Sequence, residues 1–94
     1  MYTTSRIADH PHAQAHIRRY TNGAIDFISY RTTVIEINPD GWMKCNGTYS
    51  QTTRKQIGWF LRECAPSFNY YTAKQLYTDR MMLNIYTGEI RPLG

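Results

Sequence analysis

The stretch AIDFISYRTTVIEINPDGWMKC, residues 24–45, decides the reading of the fold. Ala24 to Ile37 is rich in Ile, Phe, Tyr, Thr and Val, the residue types that suit a pleated, half-buried surface. Alternation puts Ile28, Tyr30, Thr32 and Val34 on one face and Ser29, Arg31, Thr33, Ile35 and Ile37 on the other. Asn38-Pro39-Asp40-Gly41 then breaks the pattern. Pro presets φ for a turn, Asp accepts local hydrogen bonds, and Gly takes a left-handed position. The chain returns through Trp42-Met43-Lys44-Cys45, so the segment predicts an antiparallel hairpin with a short loop.

Downstream, Asn46-Gly47 ends the returning strand, and Ser50 is a good N-cap for a helix from Gln51 to about Cys64. Ile57, Phe60, Leu61 and Cys64 recur at i, i+3, i+4 and i+7, a core-facing stripe. Ala65-Pro66 stops it, because the residue before proline avoids helical geometry. A shorter helix follows from about Tyr70 to Asp79, burying Ala73, Leu76 and Tyr77. A last strand, Met82 to Tyr86, sets Leu83 and Ile85 against Asn84 and Tyr86 before Thr87-Gly88 turns it. It is expected to join the hairpin, since two strands alone are barely stable in water.

Upstream, Pro11 to Tyr20 reads as a helix. Pro11 suits the first helical position, Ala13, Ile17 and Tyr20 form a narrow stripe, and Asn22-Gly23 supplies a stop. Residues 1–23 are therefore expected to form an arm carrying this helix, with fraying at the terminus. The fold class expected is α+β: one domain over residues 1–94, with a small antiparallel sheet, hairpin plus C-terminal strand, packed by two or three helices.

Composition agrees with one two-layer domain. The chain has 94 residues, 41% hydrophobic and 14% aromatic, and a domain of this size buries about 60–65% of its unfolded surface. Mean hydropathy is −0.57, and no apolar run approaches the roughly 20 residues of a membrane span. MYTTSRIADH has no apolar core of a signal peptide, so an intracellular location is expected. Eleven Lys and Arg against seven Asp and Glu give +4, a modest bias toward an anionic partner and against carboxylate-rich DNA mimicry.

The long helix carries the candidate site. At 100° per residue, Gln51, Arg54, Lys55, Gly58 and Arg62 gather opposite Ile57, Phe60, Leu61 and Cys64. Cations near a helix start oppose the dipole at about 0.3–1 kcal/mol each, and a mid-helix Gly costs about 1 kcal/mol relative to Ala. Both features make sense if an anion sits at the helix start, or if a backbone approaches closely at Gly58. Free amides, the hydroxyls of Ser50, Thr52 and Thr53, and Arg54 and Lys55 would together bind a phosphate. The competing reading is a solvated basic face with Gly58 packed against the hairpin. Tyr49, Trp59, Tyr70 and Tyr71 accompany the cations as candidate aromatic contacts to bases. Eight tyrosines in one small domain also serve packing, ring buried and hydroxyl wet.

Other chemistry is thin. His12 and His16 lie i, i+4 on the expected helix, a spacing at which two imidazoles can share a metal, with His10 and Asp9 nearby. No third or fourth ligand set completes them, so no metal and no cofactor is assigned. Cys45 and Cys64 fall on expected core positions and read as buried thiols rather than nucleophiles. Asp40 is expected to serve the turn and Glu63 to pair along its helix. No phosphate-binding glycine loop, Gly-x-Ser-x-Gly elbow or carboxylate pair at helical spacing is present, so the reading is non-enzymatic.

Tyr49-Ser50-Gln51-Thr52-Thr53-Arg54-Lys55-Gln56-Ile57-Gly58-Trp59-Phe60-Leu61, after a short hairpin, resembles small proteins of bacteriophages and prophages. In that family the helix opens Tyr-Ser-x-Thr-Thr, commonly with His three residues after the second Thr; this chain has Gln56 there. The resemblance spans roughly Tyr30 to Ile90 and implies a phage accessory protein acting in the cytoplasm of a bacterial host. By analogy it implies counter-defence, through binding a defence complex or sequestering its nucleotide signal. The leading expectation is a binding protein whose Ser50–Arg62 face contacts phosphates of nucleic acid or of a nucleoprotein defence complex. The alternatives are a protein–protein inhibitor of the anti-CRISPR type and a cyclic-nucleotide sponge acting as a homo-oligomer.

Overall fold

The computed structural model describes all of residues 1–94. Seven strands form one antiparallel sheet in the order in which they occur in the chain. They are β1 (Tyr2–Arg6), β2 (Ala15–Tyr20), β3 (Ile25–Ser29), β4 (Thr32–Ile37), β5 (Trp42–Cys45), β6 (Met81–Asn84) and β7 (Ile90–Pro92). Helices α1 (Gln51–Cys64) and α2 (Tyr70–Asp79) lie between β5 and β6 in the chain. The α+β class is as expected; the sheet is larger than the small one expected.

The N-terminal helix does not exist. Residues 11–14 are loop, and Ala15–Tyr20 is a strand paired on one side with β1 and on the other with β3. Ala15 and Ile17 are fully buried while His16 and Arg18 are only partly covered, a period of two that the helical stripe of Ala13, Ile17 and Tyr20 obscures. Two strand partners outweigh a weak helical propensity. Strand β1 gives no alternation to read, because all five of its residues are exposed.

The long strand expected over 24–37 is two strands joined by a tight turn at Tyr30-Arg31. Pairing steps from Phe27↔Ile35 to Ile28↔Thr33, so Val34 is the extra residue of a bulge. Val34 and Ile35 are therefore both buried, and simple alternation fails there. The turn after β4 is where it was expected, but its bonds come from Asn38. The Asn38 side chain accepts from the amides of Asp40 at 3.0 Å and Trp42 at 2.9 Å, and the Asp40 carboxylate takes no part.

Helix α1 has the boundaries read from the sequence, and the Ser50 hydroxyl accepts the Thr53 amide as its cap. Helix α2 also matches, closed at Asn69 by a capping box with Thr72. Tyr77 departs from expectation: it is 49% exposed, while Ala73 and Leu76 are buried. Strand β6 joins β5 as expected, through Trp42↔Asn84 and Met43↔Leu83, but ends at Asn84 rather than Tyr86.

Both helices cover one face of the sheet. Ala15, Ile17, Phe27, Ile35, Ile37, Met43, Cys45 and Leu83 form one buried cluster with Ile57, Phe60, Leu61, Ala73 and Leu76. The Phe27 and Phe60 rings stack at 4.8 Å and 16°, fastening α1 to β3. The opposite sheet face has no helix over it. One cross-strand row there runs Thr4, Arg18, Asp26, Glu36 and Lys44.

Candidate functional site: the exposed face of the long helix

The helix face predicted from periodicity is present. Gln51, Thr52, Arg54, Lys55 and Arg62 are exposed, opposite the buried Ile57, Phe60 and Leu61. The ion pairs of the molecule are Arg19–Glu63, Lys44–Glu36 and Arg91–Glu89, so Arg54, Lys55 and Arg62 have no carboxylate partner. With the helix starting at Gln51, Arg54 and Lys55 are its fourth and fifth residues. They stand at the edge of the first turn, so their dipole penalty is at the low end of the range.

Several members of the expected site are engaged elsewhere. Thr53 is buried, and its hydroxyl lies 3.2 Å from both the Ser29 and the Ser50 hydroxyls. Ser50 is occupied in capping. Both hydroxyls are engaged within the chain, and Thr52 is the one of the three that is exposed and takes no part in these bonds. Trp59 is half-buried, with the His10 ring stacked on it at 3.6 Å and 14°, so one face of the indole is covered. Tyr49 stands 55% exposed with a left-handed φ of 48°, beside Gly47.

Gly58 is neither approached by a backbone nor packed on the hairpin. A Cβ there would meet nothing within 4 Å. Instead Gly58 and Arg62 line a surface groove of about 370 Å³ whose other wall is Phe68, Tyr70 and Tyr71 at the start of α2. The Tyr70 and Tyr71 rings meet edge to face at 5.5 Å, and the Tyr70 hydroxyl is buried without a hydrogen-bond partner. The structure thus brings Gly58, Arg62, Tyr70 and Tyr71 together, with Arg54 and Lys55 on the same helix and outside this groove.

Sequence reasoning missed the buried polar contact beneath α1. The Ser29 hydroxyl donates to Gln56 Oε1 at 2.6 Å, and Gln56 is fully buried. Position 56 points at β3 and not at solvent. Gln56→Leu is expected to cost about 1–3 kcal/mol, because Ser29 loses an acceptor in a dry interface. Gln56→His, which keeps an acceptor nitrogen, is expected to cost clearly less. Paired urea melts measure the difference, and equal losses would mean that position 56 contributes only volume.

Glu63 does not pair along its helix. Its Oε2 takes Arg19 at 3.1 Å and its Oε1 accepts the Ala8 amide at 2.8 Å, tying the first hairpin to the helix layer. His12 lies in the loop and His16 on β2, so the shared helical spacing is gone. No group of three or more His, Cys, Asp or Glu gathers anywhere in the structure. Burial pushes the Cys45 and Cys64 thiols up from the ordinary cysteine value, which keeps them protonated at neutral pH. Both are free, with Cys45 buried and Cys64 half-buried.

No helix is long and apolar enough to cross a membrane. No curated protein and no solved structure matches the chain. A family described as "Family of unknown function (DUF8033)" matches residues 3–82, which run from β1 through both helices into the start of β6. The chain belongs to that family.

Proposed function

We propose that this is a non-enzymatic binding protein that holds phosphates of nucleic acid, or of a nucleoprotein complex, on the exposed face of α1. The observation that carries the reading is that Arg54, Lys55 and Arg62 share one helix and none has a carboxylate partner. The groove beside Arg62 adds two tyrosine rings, a combination suited to a backbone phosphate with an unstacked base next to it. The phage resemblance of the helix start supports a counter-defence setting inside a bacterial host cell.

Charge reversal tests it. Titrating labelled single- and double-stranded oligonucleotides at low and moderate salt should show binding that weakens steeply with salt. Arg54→Glu with Lys55→Glu should weaken binding about tenfold or more, while the thermal midpoint barely moves. Binding that is unchanged in the double variant rejects the reading.

The second reading, a protein–protein inhibitor, is favoured by the exposed tyrosines. Tyr71 is 73% and Tyr77 49% exposed, both on α2, and aromatic side chains of this kind anchor interfaces. Such an interface would be far less sensitive to salt. A cyclic-nucleotide sponge would show instead as a rise in thermal midpoint with the free nucleotide.

A further inference from the structure

The uncovered sheet face carries a second basic feature that the helix reading does not use. A cavity of about 460 Å³ lies on it, lined by Thr4, His16, Arg18, Ile28, Tyr30, Arg31 and Thr33. The lining has two guanidinium groups, an imidazole and three hydroxyls, and no carboxylate. Neither Arg18 nor Arg31 belongs to an ion pair. The Nε of Arg18 is buried with no hydrogen-bond partner, a donor left open at the cost of its desolvation. The nearest competing acid across the strands is Asp26, opposite Arg18, and its carboxylate accepts the Tyr20 hydroxyl at 2.9 Å.

The neighbouring cavity on the same face is different. It lies between Tyr20, Pro39, Trp42 and Met82, but its charges answer one another, Glu36 taking Lys44 at 3.4 Å and Asn46 at 2.9 Å. Of these two cavities, the one around Arg18 is the one whose guanidinium groups stand outside any ion pair, the Arg18 guanidinium lying over the Tyr2 ring at 4.5 Å.

The turn above that cavity is the second observation. Tyr30-Arg31 is the whole loop between β3 and β4, and Tyr30 sits at a left-handed φ of 56°. Two-residue hairpin loops favour Asn-Gly, Asp-Gly or Gly-X because those residues enter this region cheaply. The two-residue connection between Ser29 and Thr32 calls for a positive φ at its first residue, and a tyrosine meets that demand with more strain than glycine or asparagine would. Its ring is 56% exposed, so burial does not repay the strain. The Tyr30 amide donates to the Gln14 carbonyl at 2.8 Å, which holds the turn in place against the β1–β2 loop. Strained residues of this kind gather where a side chain must be held for a ligand.

We propose that this cavity binds the phosphate of a nucleotide, with Arg18, Arg31 and His16 on the phosphate and the Tyr30 ring against the base. Arginine suits a phosphate because its planar fork donates two hydrogen bonds in parallel. Thr4 and Thr33 supply hydroxyls at the same opening. The site is on the face away from α1, so it stands whether or not the helix face binds nucleic acid.

Calorimetric titration with inorganic phosphate, adenosine 5′-monophosphate and a thymidine dinucleotide tests the proposal on the intact chain. Saturable binding of the mononucleotide is expected, with inorganic phosphate weaker and competing for the same site. Arg18→Gln with Arg31→Gln should lose about tenfold or more for both. Tyr30→Gly should lose affinity for the mononucleotide and not for inorganic phosphate, while its thermal midpoint rises by a few degrees as the strain is released. That rise separates lost binding from lost folding. Lys74→Gln, an exposed lysine of α2 outside both sites, should leave all three titrations unchanged, so a loss confined to the arginine variant is a loss at this cavity. A dinucleotide held more tightly than the monophosphate identifies a strand as the source, and the reverse identifies a free nucleotide. Absence of saturable binding by phosphate and mononucleotide, or full binding by the double glutamine variant, overturns the proposal.

Discussion

Phe60→Ala is expected to cost about 3–5 kcal/mol, the range for deleting a buried aromatic ring. A domain of this length holds about 5–14 kcal/mol in total, so the variant should lose about a fifth of it or more. Phe60 and Phe27 are both fully buried, and their rings lie 4.8 Å apart at 16°. The site has little freedom to collapse, because β3 is held on both sides by β2 and β4 while α1 is fixed at its start by the Ser50 cap. A urea melt with an unchanged slope and a lower midpoint is the expected readout. A loss below about 1 kcal/mol would mean that α1 does not rest on β3 through this ring.

Gly41→Val is expected to cost roughly 2–4 kcal/mol, by adding backbone strain to overpacking. Gly41 has a φ of 95°, a conformation that a β-branched residue avoids. A Cβ there would also come within 2.4 Å of the Tyr86 ring and 3.3 Å of Asn84 Oδ1. Tyr86 is exposed and its ring can move aside. Asn84 cannot, because it is buried and joins two turns. Its Nδ2 donates to the Asp40 carbonyl at 3.1 Å, and its Oδ1 accepts the amides of Tyr86 and Thr87 at 2.9 and 3.1 Å. The strain is therefore expected to reach both turns, seen as faster amide exchange at Tyr86 and Thr87 along with the lower midpoint. Exchange that stays native would place the loss in the β4–β5 turn alone.

The helices and the Asn38–Gly41 turn were legible because each has chemistry local to it. Ser50 and Asn69 mark helix starts, Pro66 marks a stop, and the 57-60-61-64 stripe has one period. The first hairpin was not legible, since β1 buries nothing and β2 carries both a helical and a strand period. The Tyr30-Arg31 turn was hidden because it lacks the Gly or Asn that announces such turns, and Val34 broke alternation by bulging. The exposed basic stripe followed from helix geometry alone. Its hydroxyls did not, since whether Thr53 faces water or Ser29 depends on a strand that α1 meets only in three dimensions. The cavity around Arg18 was out of reach for the same reason, drawing on β1, β2, β3, β4 and the turn between the last two.

The strand order sets the route by which the chain can assemble. Every strand pairs with its successor in sequence, so five of the six pairings close through local loops that form in about 1–10 μs, as hairpins do. The β5–β6 pairing is the long one, because residues 46–80 must first be gathered as two helices. Its loop-closure entropy falls due before Trp42 and Met43 find Asn84 and Leu83. That step should govern the folding rate, so substitutions at the α1–α2 junction should slow folding, whereas those in β1 should mainly speed unfolding.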